Sequence, residues 1–332
     1  MNVFDWHKEH FETLVASRAR LPHALMLSGP RGIGKLAFAR ALARVFLCEA
    51  PAHAGAACGA CSACAWFEAG SHPDYRQLEP AAESAEPDEV GKKATTIAVD
   101  QIRALPDFIN MTSHRGGAKL IVIHPAEMLN VNAANALLKS LEEPPARTYF
   151  LLVTHRPHQL LATIKSRCQH IALPSPDLAS ATAWLAAQGV RDSQLALAHM
   201  GNAPLLALEL EQGDYWRARA TFLNRLAAQE LDILAISEAA REFPLPQVVA
   251  WLQKWSYDVL HYAATQRTRY NPDHAETIAK TAARVDMIAA SRFHREMVRL
   301  QRVAHHPLNA RLFIEHLLLT YSEFMQPQLV SP

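Results

Sequence analysis

Short apolar runs of strand length recur through the first half of the chain, at residues 24–27, 120–123 and 149–153. A helix-forming stretch, residues 36–47, follows the first run, and the apolar positions of residues 132–143 have helical spacing. Pro144 and Pro145 end that second helix, because proline cannot continue it. Buried strands that alternate with helices are typical of a parallel sheet covered on both faces. Residues 1–173 are therefore predicted to form one α/β domain.

The second half of the chain has helical periodicity only. Residues 173–177 read Leu-Pro-Ser-Pro-Asp, and the two prolines indicate a linker without helix or strand. Asp177 is well placed to cap the helix that follows. We expect a small helical domain over residues 174–210 and an all-α domain over residues 211–332. At residues 312–324, apolar side chains occupy nearly the whole circumference of the last predicted helix. This indicates burial in its own bundle or against another subunit.

The composition is that of an ordinary globular protein, with 50% hydrophobic and 20% charged residues in a chain of 332. Lys and Arg total 33 against 32 Asp and Glu, so any contact with nucleic acid must be local or shared with another protein. The first twenty residues are charged where a secretory signal needs an apolar run, and no segment has membrane-spanning length. These features predict a cytoplasmic protein without a membrane partner. Residues 79–95, rich in Ala, Glu, Pro and Asp, are expected to form a solvated loop.

The residues between the first strand and the first long helix match the phosphate-loop pattern. Gly29 and Gly34 frame four other residues, and Lys35 follows. In such loops the glycines let backbone N–H groups surround phosphates, and the lysine adds a positive charge. The next position needs Ser or Thr to hold magnesium, but this chain has Leu36. The loop therefore keeps its frame and lacks a magnesium ligand.

The second magnesium ligand is also missing from its expected position. An acidic residue normally follows the strand that corresponds to residues 120–123, whereas His124 and Pro125 stand here. Glu127 is an alternative acid, although the carboxylate should lie at the end of the strand to face the phosphates. Without magnesium, the charge on a transferred phosphoryl group has lost its main neutraliser. We therefore expect negligible hydrolysis, and ATP binding that is weak or absent.

Four of the five cysteines lie within seventeen positions, at Cys48, Cys58, Cys61 and Cys64. In a reducing compartment such a group favours a metal over disulfides, and four thiolates fit a closed, structural Zn²⁺ site. An iron–sulfur cluster and unliganded thiols are the alternatives, but the ferredoxin continuation Cys-x₃-Cys-Pro is absent. His53, in the loop between the first two cysteines, is a possible substitute ligand.

Several further segments, taken with these motifs, resemble a known family. They are residues 21–25 (Leu-Pro-His-Ala-Leu), 72–75 (His-Pro-Asp-Tyr), 135–145 (Asn-Ala-Leu-Leu-Lys-Ser-Leu-Glu-Glu-Pro-Pro) and 166–168 (Ser-Arg-Cys). Together they look like the bacterial clamp-loader subunits, which are AAA+ proteins of DNA polymerase III, and the likeness is strongest over residues 20–173. The resemblance implies an AAA+ domain with a zinc insertion, a helical lid at 174–210 and a helical collar at 211–332.

The resemblance also implies partners and a mechanism. Clamp loaders of this family are hetero-pentamers held by their collars, and they load a ring-shaped sliding clamp onto primer–template DNA. Their motor subunits keep both magnesium motifs, so Leu36 and His124 favour a non-hydrolysing subunit. Arg167 stands where the family carries an arginine finger, which would act in trans on ATP held by a neighbouring subunit. A surface ion pair with Glu142 or Glu143 is the alternative for this arginine.

Two further positions bear on the kind of subunit. Thr154 matches the first sensor position of motor subunits, and residues 201–205 lack the arginine that the family's second domain offers to the γ-phosphate. The competing hypothesis is an ATP-hydrolysing motor subunit, or an independent AAA+ ATPase, with unusual magnesium ligands. A zinc-finger nucleic-acid module is disfavoured, because Ala, Gly and Ser separate the last three cysteines where Lys and Arg would be needed.

Overall fold

The computed structural model describes residues 3–51, 56–80, 96–114, 117–211, 213–228 and 230–325. Its contacts divide the chain into two compact units, Met1–Asp177 and Leu178–Pro332. Most of the loop predicted at residues 79–95, and the candidate ligand His53, lie outside the described residues. Within the described ranges, no helix is both long and apolar enough to cross a bilayer.

The first unit is built on a parallel sheet. Its five strands are β1 Ala24–Ser28, β2 Tyr75–Leu78, β3 Lys119–Ile123, β4 Thr148–Thr154 and β5 Gln169–Ala172. The strand order is β2-β3-β4-β1-β5, and every pairing is parallel. The parallel sheet predicted from the sequence is confirmed. Because the strands are parallel, the carboxyl ends of β1, β3 and β4 meet at one edge, where ligands bind in open α/β sheets.

Helices cover both faces of this sheet. They are α1 Lys8–Ala16, α2 Lys35–Leu47, α3 Ser62–Glu68, α4 Val99–Arg103, α5 Leu105–Asn110, α6 Val131–Glu142 and α7 Ala162–Lys165. Successive strand residues point to opposite faces, so Leu25 and Leu151 pack in one core with α1 and α2. Met26 and Phe150 pack in a second core with α4, α5 and α6. The middle residues of the central strands are mostly apolar because both faces of these strands are buried.

Two of the segments that resemble the clamp-loader family, residues 21–25 and 72–75, make contacts that stabilise the first unit. The ring of His23 donates a 2.8 Å hydrogen bond from Nε2 to the carbonyl of Leu141 in α6. Asp74 is buried before β2, and its carboxylate lies 3.5 Å from the ammonium of Lys119 at the start of β3. The same carboxylate accepts a 3.0 Å hydrogen bond from the backbone N–H of His114. A buried charge needs such partners. Removing either Asp74 or Lys119 would leave the other charge buried without its ion-pair partner, which would destabilise the amino edge of the sheet.

The second unit is helical, and no strand occurs within residues 178–211, 213–228 and 230–325. Its helices are α8 Leu178–Ala187, α9 Ser193–His199, α10 Pro204–Glu209, α11 Tyr215–Leu226, α12 Ile233–Ala240, α13 Leu245–Thr265, α14 Ala275–Ala282, α15 Met287–Val303 and α16 Ala310–Met325. One small core includes Leu185 and Leu197, and a larger one includes Trp251, Trp255 and Leu317. The predicted helical character is confirmed, while the division of this unit at residues 210 and 211 stays a prediction.

Candidate functional site

The phosphate loop, residues 29–34, connects β1 to α2 at the carboxyl edge of the sheet. Gly29 has a φ of 148° and Gly34 a φ of 97°, which residues with a side chain rarely adopt. A Cβ atom at Gly29 would lie 2.8 Å from the backbone oxygen of Leu173, and one at Gly34 would lie 2.4 Å from the ring of Phe4. The loop thus needs glycine at both positions for its backbone shape and for space.

Lys35, the lysine of the phosphate-loop pattern, donates hydrogen bonds to carbonyl oxygens of the loop itself. Its Nζ lies 2.7 Å from the oxygen of Gly29 and 2.5 Å from the oxygen of Pro30. The residue is 3% exposed, and burial lowers the pKa of its ammonium to about 8. The positive charge that would meet a phosphate is therefore directed at two backbone carbonyls. The next residue, Leu36, packs against the core of the unit.

Aromatic residues of the N-terminal segment lie against the phosphate loop. The rings of Phe4 and Trp6 stack with centroids 4.7 Å apart, and the ring of Phe4 occupies the space beside Gly34. The indole N–H of Trp6 donates a 2.9 Å hydrogen bond to the carbonyl of Ile33. Sequence reasoning did not predict this contact, since two aromatic residues near the start of a chain carry no signal for a loop about thirty residues later.

The end of β3 offers no carboxylate at its first two positions, where His124 and Pro125 stand. Glu127 follows, and its Oε2 accepts a 2.7 Å hydrogen bond from the hydroxyl of Thr154 at the end of β4. Its Oε1 accepts a 3.0 Å bond from the backbone N–H of His155. The structure therefore brings the sensor-like threonine and the alternative acid together. Both carboxylate oxygens of Glu127 are already engaged.

The charge at this edge comes from few groups. Glu127 is close enough to Lys35 that its negative charge opposes the effect of burial on the lysine pKa. Burial and the lysine charge lower the pKa of His155 to about 4, and they also lower the pKa of His124. Both imidazoles are thus neutral at neutral pH, and neither offers the carboxylate oxygen that magnesium prefers.

The four predicted zinc ligands converge in space. The sulfur atoms of Cys48, Cys58, Cys61 and Cys64 all lie within 4.8 Å of one another, and those of Cys48 and Cys61 are 4.0 Å apart. A tetrahedral site with Zn–S bonds of about 2.3 Å has sulfur atoms about 3.8 Å apart, so the cluster fits zinc. Backbone N–H groups lower the pKa of the Cys58 thiol to about 6, whereas burial raises the pKa of Cys48 to about 12.

Local structure explains how these cysteines come together. Cys48 directly follows α2, and Cys61 caps α3, where its sulfur accepts a 3.4 Å hydrogen bond from the backbone N–H of Cys64. The backbone N–H of Cys58 donates to the sulfur of Cys48 at 3.2 Å. An ion pair of 2.9 Å between Arg44 and Glu68 joins the two helices beside the cluster. The cluster therefore links α3 to the helix that begins at the phosphate loop.

Arg167 lies between α7 and β5, at the amino edge of the sheet and opposite the phosphate loop. Its guanidinium forms an ion pair with Glu142 and donates a 2.8 Å hydrogen bond to the carbonyl of Thr163. The side chain of Arg167 is 33% exposed, and that of Glu142 is 47% exposed. The surface pair that sequence analysis gave as the alternative for this arginine is therefore present in the single chain.

Together, the sheet, the loop and the cysteine cluster define a class of protein. A parallel five-stranded sheet has a phosphate loop between β1 and α2, a four-cysteine cluster follows that helix, and the described part of the second unit is helical. This is a P-loop protein of the AAA+ class.

Comparison with known proteins narrows the class to a family. The family models described as "DNA polymerase III, delta subunit" and "DNA polymerase III, delta subunit, C terminal" match residues 7–177 and 213–323. DNA polymerase III subunit delta′ of Pseudomonas aeruginosa is 40% identical over 271 residues, which cover 80% of this chain and 79% of that protein. The Escherichia coli subunit delta′ is 35% identical over an alignment of 347 positions, which covers 100% and 99%. This chain belongs to the DNA polymerase III delta-prime subunit family.

A solved structure gives independent support for the fold. The DNA polymerase III gamma-subunit-related protein of Thermotoga maritima superposes with a TM-score of 0.51, and the match covers 96% of this chain and 100% of that one. The identity is 18%, so this likeness concerns the fold alone.

Proposed function

We propose that this chain is a non-hydrolysing subunit of a clamp loader. In this role it supports assembly of a hetero-pentamer, supplies Arg167 to ATP in a neighbouring subunit, and so promotes loading of the sliding clamp onto primed DNA. The observation that carries the proposal is the state of the phosphate loop. Lys35 donates to carbonyls of its own loop, and Leu36 and His124 stand where magnesium ligands are needed.

The missing magnesium ligands affect both the binding of ATP and its hydrolysis. Magnesium takes oxygen ligands in a strict octahedron, and neither the Leu36 side chain nor a neutral His124 supplies one. The lysine that would meet the phosphates of a nucleotide already has two hydrogen-bond partners in its own loop. We therefore expect ATP binding to be weak or absent and hydrolysis to be negligible.

We also propose that the cluster of Cys48, Cys58, Cys61 and Cys64 holds Zn²⁺. The convergence of four sulfur atoms supports this, and four protein thiolates leave no open position for a substrate or for water. When bound, the ion would supply structure rather than catalysis, by fixing the loop and α3 to the end of α2. Zinc affinity and local folding would then be coupled.

The position of Arg167 supports a role in trans. It precedes β5, whereas the phosphate loop follows β1, and the two strands are parallel, so the arginine and the loop lie at opposite edges of the sheet. The pair with Glu142 does not prevent such a role, because an exposed pair is worth about 0–1 kcal/mol. A neighbour's phosphoryl group, with its higher charge, would compete well for a planar and permanently charged guanidinium.

Reassembly of the loader with variants of Arg167 tests the proposal. Losing an arginine finger costs roughly 10³ to 10⁵ in rate at the site it serves. Because one chain serves only one ATP site, Arg167→Ala should lower the total DNA-stimulated ATPase rate of the loader only in part. The rate of clamp loading should fall by a larger factor. Arg167→Lys should behave similarly, since an ammonium lacks the fork geometry. The matched control is Glu142→Gln, which removes the surface pair, keeps the arginine, and should leave both rates near those of the parent.

If the complex with Arg167→Ala assembles and its ATPase and clamp-loading rates equal those of the parent, Arg167 is not a finger. The contribution of this subunit would then be architectural.

One observation favours a second candidate function, an ATPase with unusual magnesium ligands. The carboxylate of Glu127 lies near Lys35 and the hydroxyl of Thr154. Steady-state ATPase of the purified chain separates the two functions. We expect no turnover above that of buffer. Magnesium-dependent turnover that disappears with Lys35→Ala and with Glu127→Gln would favour the enzyme.

A further inference from the structure

Helix α15 carries a row of arginines on the side that faces away from the core. Phe293, Met297 and Leu300 are buried on its inner side. The outer row occupies positions i, i+3, i+7 and i+10, and all four side chains are exposed: Arg292, Arg295, Arg299 and Arg302. We call these four residues the arginine stripe. At 3.6 residues per turn they fall within an arc of about 80°, and they extend about 15 Å along the helix axis.

Little in the described chain neutralises this stripe. Arg299 lies 2.5 Å from the carboxylate of Glu296, which is the only acid in α15. Arg292, Arg295 and Arg302 make no ion pair or hydrogen bond with any residue that the structure describes. Like charges three or four residues apart repel one another on a helix, so the stripe disfavours the free helix. A polyanion bound to it would remove that repulsion.

We propose that the arginine stripe contacts the phosphate backbone of DNA. The choice of DNA among polyanions rests on the function proposed above. Each guanidinium can bind phosphate oxygens through two parallel hydrogen bonds. Along the axis of a duplex each strand carries a phosphate about every 3.4 Å, so a row of about 15 Å is long enough to contact more than one phosphate. No exposed Phe, Tyr or Trp lies among the four arginines to stack on bases. Contacts between arginine and phosphate position DNA without reading its sequence.

The positive charge of α15 is unusual for this chain, because the chain as a whole is nearly neutral. Lys and Arg exceed Asp and Glu by only one residue over the whole sequence, whereas α15 has four arginines and one glutamate. A solvated helix face normally mixes both signs of charge. The stripe therefore provides the kind of local basic surface through which a chain of this composition can contact DNA.

The salt dependence of DNA binding tests the proposal. The variant changes the three unpaired stripe residues together, Arg292→Gln, Arg295→Gln and Arg302→Gln. Its matched control removes the same charge from three other exposed arginines of the same unit that form no ion pair with the described residues, Arg191→Gln, Arg217→Gln and Arg267→Gln. Binding of labelled single-stranded, duplex and primed DNA is measured by fluorescence anisotropy from about 50 to about 200 mM salt. The full chain is used alone and in the reassembled loader.

We expect the stripe variant to have a shallower salt dependence than the control. Each lost phosphate contact reduces the slope of log K against log salt by about 0.9 on duplex DNA and about 0.7 on a single strand. Three losses thus reduce the slope by about 3 or about 2, and the value identifies which form of DNA is contacted. A third variant with lysine at the same three positions keeps the charge and should retain most of the slope. This protects the test against a variant that simply fails to fold.

Equal slopes for the stripe variant and the control, alone and in the loader, would overturn the proposal. So would unchanged DNA binding combined with loss of a partner subunit, because the stripe would then be a protein interface. Without DNA, the ATPase rate of the loader reassembled with the stripe variant should equal that of the loader with the parent chain. Failure of this inference can therefore be distinguished from failure of the arginine-finger function, which depends on Arg167.

Discussion

Lys35 illustrates how a phosphate-binding side chain can serve the structure of its own loop. The carbonyls of Gly29 and Pro30 accept its N–H groups at 2.7 and 2.5 Å, and its pKa of about 8 leaves it mostly charged at neutral pH. These carbonyls satisfy a charge that burial would otherwise disfavour. An incoming phosphate would have to displace them. This competition is the physical reason to expect weak nucleotide binding even where the glycines keep the loop in shape.

His199 is a second residue whose hydrogen-bond partners determine its protonation state. Its titration should change the free energy of unfolding. Its Nε2 accepts a 2.7 Å hydrogen bond from the hydroxyl of Tyr215, and its Nδ1–H donates to the carbonyl of Tyr270 at 3.3 Å. The same hydroxyl accepts a 2.9 Å bond from the indole N–H of Trp251. Burial lowers the pKa of His199 from 6.5 to about 2. The neutral ring is therefore fully satisfied, and protonation would break the bond from Tyr215.

We predict that acidification destabilises the second unit through His199. Below pH 6.5 the unfolded ring binds a proton that the folded ring does not, so this contribution to stability is full above pH 6.5 and is lost as pH falls toward about 2. Between neutral pH and about pH 5, the free energy of unfolding should fall by roughly 2 kcal/mol from this source. Urea unfolding, followed by tryptophan fluorescence at each pH, measures the change.

The control for this prediction is His199→Gln, whose amide can accept one hydrogen bond and donate another without titrating. The free energy of unfolding of the variant should depend less on pH by the same roughly 2 kcal/mol. An identical pH dependence in both proteins would mean that His199 is not the titrating group.

At the residue scale, the sequence predicted what depends on residue type and spacing. The glycine frame of the phosphate loop and the convergence of the four cysteines follow from pattern alone, and the structure has both. The contact of Phe4 with Gly34 and the hydrogen bond from Thr154 to Glu127 could not be predicted. Each joins residues about thirty positions apart through tertiary packing, and no motif or periodicity records such a pairing.

At the scale of elements, the cysteine cluster joins α2 to α3 and should depend on its metal. We predict about one zinc per chain by elemental analysis. Cys61→Ser should lose that zinc and speed amide hydrogen exchange in residues 56–64, because structural zinc binding is coupled to local folding. Cys168→Ser is the matched control, since this cysteine lies outside the cluster, and it should keep both the zinc and the protection. Iron with visible absorbance, or no metal in the freshly purified chain, would contradict the assignment.

The strands show why element prediction succeeded in part. The runs at residues 24–27, 120–123 and 149–153 correspond to β1, β3 and β4, the three inner strands, whose residues are almost entirely buried. The sequence did not predict β2 and β5. These are the two edge strands, with four residues each, and most of their side chains are at least partly exposed. An edge strand of this length needs few apolar residues, so its hydrophobic signal is too weak to separate it from a loop.

At the scale of the whole molecule, the last helix has one face in the core of the second unit and exposed leucines on another face. Leu317, Leu318 and Tyr321 of α16 are buried in the larger core of the second unit, while Leu312 and Leu319 are 62% and 52% exposed. The two exposed leucines are seven residues apart and therefore lie on one face of the helix. The sequence predicted burial around nearly the whole helix, in its own bundle or against another subunit. The bundle covers one side, and the proposed collar contact would cover the other.

We predict that Leu312→Glu combined with Leu319→Glu impairs assembly of the loader without unfolding the chain. Exposed positions usually change stability by less than about 0.5 kcal/mol, so the melting temperature of the free chain should stay within a few degrees of the parent. Burying two carboxylates in an apolar contact should cost well over 1.4 kcal/mol, which weakens association at least about tenfold. Size-exclusion chromatography of the reassembled loader measures the loss. Met111→Glu, at a position that is 67% exposed in the first unit, is the control for adding charge at an exposed apolar residue. If the double variant assembles as fully as the parent at the same subunit concentrations, this face of α16 is solvent-exposed in the complex, and the collar must associate through another surface.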